Sequence, residues 1–320
     1  MTSTAAACHA LPDDANAPSW ARRTFYPRDM PGRRLDQTAS LTAQFNAWQR
    51  AAESTQRDGL LNDPQSGWFV THPLLRAALA SPTVARWSLR LVDRWCAGLH
   101  ALIVLRRRVS DDEVRAAAQS GISQVVMLGA GFDTSSQQLG SLPVTVFEVD
   151  APTTQRAKQH LIAEHRGDTS RLVWVPCDFE RDDLTSRLLD AGFDTAATSL
   201  VVWLGVTYYL TEAALESTLT QLAKLCAPGS RLVLDYGDPD IVGSDSRRPE
   251  VRRGSRSVSR RGEPYRTGMT ATQADELLAR QGFQTTEQLR IPELLRRYDP
   301  ADARGLTPGD WTTVVTARRG

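Results

Sequence analysis

The chain has 320 residues, 41% of them hydrophobic and 23% charged, which excludes a disordered or fibrous protein and suits one large domain or a little more. Thirty-eight basic against 37 acidic side chains leave a formal charge of +1, so the whole-chain balance gives no electrostatic reason to expect nucleic acid or an anionic membrane as partner. No apolar run approaches the roughly 20 residues that span a bilayer, and no basic-then-apolar leader is visible. The four cysteines, Cys8, Cys96, Cys177 and Cys226, lack metal-ligand spacing. Together these predict a metal-independent cytoplasmic protein with reduced thiols.

Residues 1–35, rich in Pro, Arg and Ala, show no sustained period and read as an irregular arm. From Asp36 the pattern is helical, with Leu41, Phe45, Trp48 and Ala52 on one inward stripe. Ser81-Pro82 is an N-cap followed by a first-turn proline. Val84, Trp87, Leu91, Trp95, Leu99 and Leu102 continue a helical stripe, and most tryptophans of this half are expected in the core. Residues 36–115 therefore read as a helical cap.

From about residue 116 short apolar runs alternate with helical stretches. The runs are Gln124–Leu128, Val144–Val149, Arg171–Val175, Ser199–Leu204 and Leu232–Tyr236; the helical stretches include Thr153–His165 and Glu212–Leu225. This alternation predicts an α/β domain with a mostly parallel sheet. Residues 241–267 break the rhythm with eight arginines against Asp245, Glu250 and Glu263, and read as a basic insertion. Thr270–Gln281 is helical again, and Gln284–Ile291 and Thr312–Ala317 bring the strands to seven.

The sharpest local signal is Leu128-Gly129-Ala130-Gly131-Phe132-Asp133-Thr134. A buried strand runs into two glycines, which let the backbone turn tightly and approach a ligand. A dinucleotide fingerprint needs a small third residue at 134 to pack around a pyrophosphate. Thr134 stands there, which suits a nucleoside without a pyrophosphate. Asp150, at the end of Phe147-Glu148-Val149-Asp150, is placed to accept ribose hydroxyls; its other reading is an N-cap for the next helix. Asp178-Phe179 follows the third strand and offers an acid and a ring to an adenine, or is a surface acid beside a core ring. All three loops lie where open α/β sheets bind ligands.

These motifs, with Lys158, Trp203–Thr211 (WLGVTYYLT) and Ala227–Tyr236 (APGSRLVLDY), resemble the leucine carboxyl methyltransferase family, closest to its bacterial S-adenosylmethionine-dependent O-methyltransferase branch. Arg50-Ala51-Ala52-Glu53-Ser54, Asp63-Pro64 and Arg106–Asp112 resemble that branch too. The resemblance covers roughly residues 36–240 and the closing strands. It implies a Rossmann-like class I methyltransferase core over residues 116–320, with S-adenosylmethionine as cofactor. It also implies that Gly129 and Gly131 line the methionine moiety, Asp150 holds the ribose, Asp178 and Phe179 hold the adenine, and Arg50 and Arg106 clamp the donor's carboxylate. Leu204-Gly205 departs from the phosphatase-modifying relatives, and the insertion at 241–267 does not map onto the family.

The implied reaction is O-methylation of a small-molecule carboxylate, or of a hydroxyl, in secondary metabolism. A carboxylate needs no general base at neutral pH, whereas a hydroxyl does. Tyr208, Tyr209 and Asp235 are the candidates for that task. Arg252, Arg253 and Arg256 of the insertion are candidates to attract an acid. Two other classes stay open: a nucleoside-binding regulatory protein without turnover, and an NAD-dependent dehydrogenase.

Overall fold

The computed structural model describes residues 41–320 apart from 97, 139–141, 244, 245, 247 and 261–263. The predicted arm at 1–35 and the helical onset at Asp36 lie outside the described residues. One seven-stranded sheet is formed by β1 (Gln124–Leu128), β2 (Thr145–Asp150), β3 (Leu172–Pro176), β4 (Ser199–Trp203), β5 (Arg231–Gly237), β6 (Phe283–Arg290) and β7 (Thr312–Arg319), in the order β3-β2-β1-β4-β5-β7-β6. The first five run parallel, and β7 is antiparallel to both β5 and β6. All seven predicted strands are present, with ends shifted by a residue or two.

Among the described residues, four α-helices precede the sheet: α1 (Leu41–Ser54), α2 (Pro73–Leu79), α3 (Pro82–Trp95) and α4 (Leu99–Gln119). The crossovers carry α5 (Ser135–Gln138), α6 (Pro152–Glu164), α7 (Leu184–Asp190) and α8 (Glu212–Leu225). Then come α9 (Pro249–Arg260), α10 (Ala271–Arg280) and α11 (Ile291–Tyr298). The polar caps are local: Asp183 accepts Ser186 N–H at 2.7 Å, Thr211 accepts Ala214 N–H at 3.2 Å, and Thr270 forms a reciprocal capping box with Gln273.

Strand alternation splits the core into two layers. Val126 and Leu128 pack with Leu215 and Leu219 of α8 and Leu278 of α10 on one face. Val125 and Met127 pack with Leu102 and Leu105 of α4 and Leu294 of α11 on the other. Helices thus cover both faces of the sheet, and the C-terminal strand ends are left for loops.

Phe45, Trp48 and Ala52 of α1 turn inward as expected. The next stripe does not. It breaks near Gly98, which adopts φ +75° where an added Cβ would fall 2.0 Å from Gly309 N. Within α3 the buried residues are Ala85, Leu89, Val92 and Asp93, whereas Val84, Trp87 and Trp95 face outward. The apolar period is present in α3, but it belongs to the outer face. The insertion also differs from its reading as a break in the rhythm, because Pro249–Arg260 is helical.

Glu53 fastens α1 to the C-terminal segment. Its buried carboxylate receives both arms of Arg304, at 2.6 and 3.0 Å, and lies 3.1 Å from His100 Nε2. Burial opposes its ionisation, but the His100 and Arg304 contacts prevail and lower its pKa from the ordinary 4.5 to about 2. A lowered carboxylate pKa contributes stability that is fully present above pH 4.5 and is lost as pH falls toward 2. Glu53→Gln leaves buried Arg304 with only the longer, 3.5 Å contact to Asp58 as counter-charge. It is expected to cost roughly 3–5 kcal/mol in urea unfolding at neutral pH, and to flatten the acid limb of the stability profile.

Candidate functional site

The end of β1 is tied to β2 before any side chain contributes. Gly129 and Ala130 both donate to Val149 O, at 2.8 and 3.1 Å. Gly129 (φ +65°) and Gly131 (φ +47°) occupy the left-handed region, and a Cβ on Gly129 would meet Val206 Cγ2 at 2.2 Å. Asp150 accepts the Gly131 N–H on one oxygen and the Ala151 N–H, at 2.6 Å, on the other. The N-cap position of α6 is Ala151, with no side-chain cap, so Asp150 braces the glycine loop rather than starting the helix.

Beneath this loop lies a buried ionic knot. Arg107 of α4 donates to Asp111 (2.7 Å), Asp133 (3.0 Å), Thr134 Oγ1 (3.0 Å) and Gln138 (3.1 Å). Thr134 Oγ1 in turn donates to Asp63 at 2.6 Å. Asp63 also receives Arg50 Nε at 2.9 Å, and Arg50 Nη2 donates to Phe132 O at 2.6 Å. Burial works against Asp133, but the neighbouring Arg107, Lys158 and Arg50 charges hold its pKa at about 2. The position that departs from a dinucleotide fingerprint is therefore a structural anchor: the Thr134 hydroxyl joins the glycine loop to α4 and to the Asp63 turn.

A second buried pair supports the next strand. Lys158 of α6 meets Glu148 at 2.5 Å, and Ser136 donates to the same carboxylate at 3.0 Å. The third grouping lies beneath the β4 loop. Arg106 Nη1 donates to the Tyr208 hydroxyl at 3.0 Å and is 3.7 Å from Asp235, which accepts Gly205 N–H at 2.7 Å. Burial pushes the Asp235 carboxyl up against the pull of Arg106, and pushes the Tyr208 hydroxyl up as well. Gly205 is at φ +78°, where a Cβ would touch the Arg106 guanidinium at 2.7 Å.

Above these groups opens a cavity of about 830 Å³, within the size range of small-molecule and cofactor sites. Its wall includes Arg50, Arg106, Gly129, Gly131, Asp150, Asp178 and Phe179, all seven positions singled out for the cofactor. Of the three acid–base candidates, Tyr209 lines it, whereas Tyr208 and Asp235 are buried behind it. Arg106 and Arg107 lie in the middle of α4 and are enclosed, so neither belongs to a solvated helix end; Arg108 points outward beside Asp112 and the Tyr298 ring. Arg252, Arg253 and Arg256 do not line the cavity. From the insertion, Pro264 and Arg266 do.

Sequence reasoning missed Arg107, Asp63 and Arg266. The spacing of Arg107 and Asp111, four apart on one helix, signalled the first. Thr134 in place of a small residue signalled that something must hold it. No local signal marked Arg266.

The sheet order, the single reversed strand, the glycine turn after β1 and the carboxylate ending β2 define a class I S-adenosylmethionine-dependent methyltransferase. The model of the family described as leucine carboxyl methyltransferase matches residues 43–223, and the chain belongs to that family. A Mycolicibacterium smegmatis protein provisionally named an S-adenosyl-L-methionine-dependent methyltransferase is 31% identical, over 82% of this chain and 88% of its own length. A Parafrankia protein of similar name is 33% identical over 61% of this chain and 62% of its own. The crystal structure of a protein from Thermobifida fusca, provisionally named a methyltransferase, superposes with a TM-score of 0.58. It is 18% identical and covers 89% of this chain and 97% of its own, which shows the shared fold.

The cavity suits the donor. Asp150 lines the cavity at the end of β2, a carboxylate of the acceptor type that ribose hydroxyls require. The glycine turn leaves no Cβ between the strand end and the ligand. Thr134→Val keeps the volume but removes both hydroxyl contacts. It is expected to cost roughly 1–3 kcal/mol in unfolding and to weaken S-adenosylhomocysteine binding measured by calorimetry.

Proposed function

We propose that this methyltransferase acts on oxygen and esterifies the carboxylate of a small molecule. The observation that carries this reading is the composition of the cavity wall. Beyond the glycine loop it offers Arg106 and Arg266, and among the described residues that line it there is no histidine or lysine. The Tyr208 hydroxyl is held by Arg106 and Asp235 is enclosed, so neither reaches the cavity as a base. Tyr209 lines the wall as a hydroxyl donor; with guanidinium groups and no histidine or lysine, that wall suits an acceptor that is already an anion.

In this reading Asp150 binds the ribose hydroxyls, Asp178 and Phe179 receive the adenine, and Gly129 and Gly131 bring the loop backbone against the methionine portion. Arg50 faces the donor carboxylate from α1, held in place by Asp63 and Phe132 O. When bound, S-adenosylmethionine supplies an activated methyl group and a neutral sulfide leaving group. The protein's task is alignment and exclusion of water. Arg266 is steadied through its backbone, donating to Tyr208 O at 2.7 Å, and its guanidinium stands 3.8 Å from Glu180. In this reading it holds the acceptor carboxylate, while Val206, Tyr209 and Leu210 of the cavity wall enclose the apolar remainder.

Incubation with methyl-labelled donor and a panel of carboxylic acids and phenols tests the chemistry. A methyl ester releases volatile label as methanol after mild alkali, whereas a methyl ether retains it. Release is the expected result; alkali-stable label assigns a hydroxyl acceptor, and binding without any transfer assigns a regulatory nucleoside binder. Because no base is titrated, the turnover rate is expected to stay level across the neutral pH range. Asp150→Asn is expected to weaken S-adenosylhomocysteine binding roughly 10- to 100-fold, in line with the loss of charge-assisted hydrogen bonds, as read by titration calorimetry.

A further inference from the structure

The helices α2 and α3 carry a surface that the methyl-transfer site does not explain. Leu74, Val84, Trp87 and Trp95 are 63%, 48%, 66% and 43% exposed. Val84, Trp87 and Trp95 share one stripe of α3 with half-buried Leu91, at steps of three or four. The stripe is about 16 Å long at the helical rise of about 1.5 Å per residue. Leu74 adds to it from α2, which packs on α3.

Charge on this surface has one sign. Arg76, Arg90 and Arg94 are exposed. The one acid between residues 72 and 96 is Asp93, which is buried and accepts the N–H groups of His100 and Ala101 at 2.9 and 3.1 Å. Arg86 is turned back to Gln56 and Asp58. Large apolar side chains interleaved with exposed guanidinium groups, and no exposed carboxylate among the described residues 72–96, describe a face for an anionic, partly apolar partner.

We propose that the outer face of α2 and α3 docks on an anionic lipid bilayer. Tryptophan rings settle at the headgroup boundary, and arginine stems bury their methylenes while their guanidinium groups pair with phosphates. A second copy of the chain is the poorer occupant, because a symmetric contact would bring the same three arginines against each other. The overall charge of +1 conceals this face, because the compensating acids lie elsewhere.

The test uses the full chain with vesicles of phosphatidylcholine alone and of phosphatidylcholine with phosphatidylglycerol. Cosedimentation is expected only with the anionic vesicles, and it weakens as salt is added. Trp87→Ser with Trp95→Ser is expected to lower partitioning at least about tenfold, since two interfacial rings are removed. Replacing Arg76, Arg90 and Arg94 together by Ser is expected to lower it about a hundredfold, at roughly fivefold for each charge near the surface. Unfolding midpoints and methyl-transfer rates stay at the parental values, because none of these side chains lines the cavity. Independently of any variant, brominated anionic vesicles are expected to quench the parental tryptophan emission. Pelleting equal with both vesicle types, or with neither, overturns the proposal. So does insensitivity to the substitutions, self-association abolished by the tryptophan changes, or absence of quenching.

Discussion

A guanidinium buried at the centre of the molecule holds the site together. Arg107 extends from α4 to Asp111, Asp133, Thr134 and Gln138, and through Thr134 it is joined to Asp63 and Arg50. Five fixed donors in a plane can satisfy that many acceptors at once, which an ammonium on a flexible stem cannot do. The arrangement is costly to take apart, since removing one of its charged members leaves a buried charge short of a partner. The glycine loop keeps its shape because Asp133, Thr134 and Asp150 are each tied by hydrogen bonds. Its two glycines then present backbone to the cavity at an approach that no side chain would allow.

The same economy recurs at each strand end. Lys158 and Glu148 brace β2 from below, and Arg106, Asp235 and Tyr208 brace the turn after β4. In every case a cation from a helix closes on a carboxylate from a strand or its loop, away from water. The groups that line the cavity above this frame include Asp150, Asp178 and the more exposed Arg266. Catalysis of methyl transfer demands alignment rather than an exceptional acid or base, and a rigid frame of neutralised charges delivers alignment.

Much of this was legible along the chain. Strand and helix alternation, the two glycines and the two strand-end carboxylates are local signals, because a buried strand, a positive φ and a cap each leave a mark within a few residues. Arg106 and Arg107 show where such reading ends. Both are buried, yet Arg107 makes the contacts to the glycine loop and Arg106 those to the β4 turn, a division set by one residue of helical phase. The α3 stripe is a second case. Its period was plain, but periodicity says that a helix has an apolar face and not which way that face turns. Asp235 looked like a free acid at a strand end and is enclosed by Arg106 and Gly205.

The sequence by itself determined the sheet, its crossovers, the glycine turn and the carboxylates at the strand ends, since these depend on patterns within a strand, a turn or one helical repeat. Tertiary structure alone decided which arginine meets which acid, which tyrosine reaches the cavity, that Arg266 of the insertion completes its wall, and that the tryptophans of α3 face outward. Those outcomes depend on contacts between residues separated by tens to hundreds of positions, whose geometry exists only once the helices have packed onto the sheet.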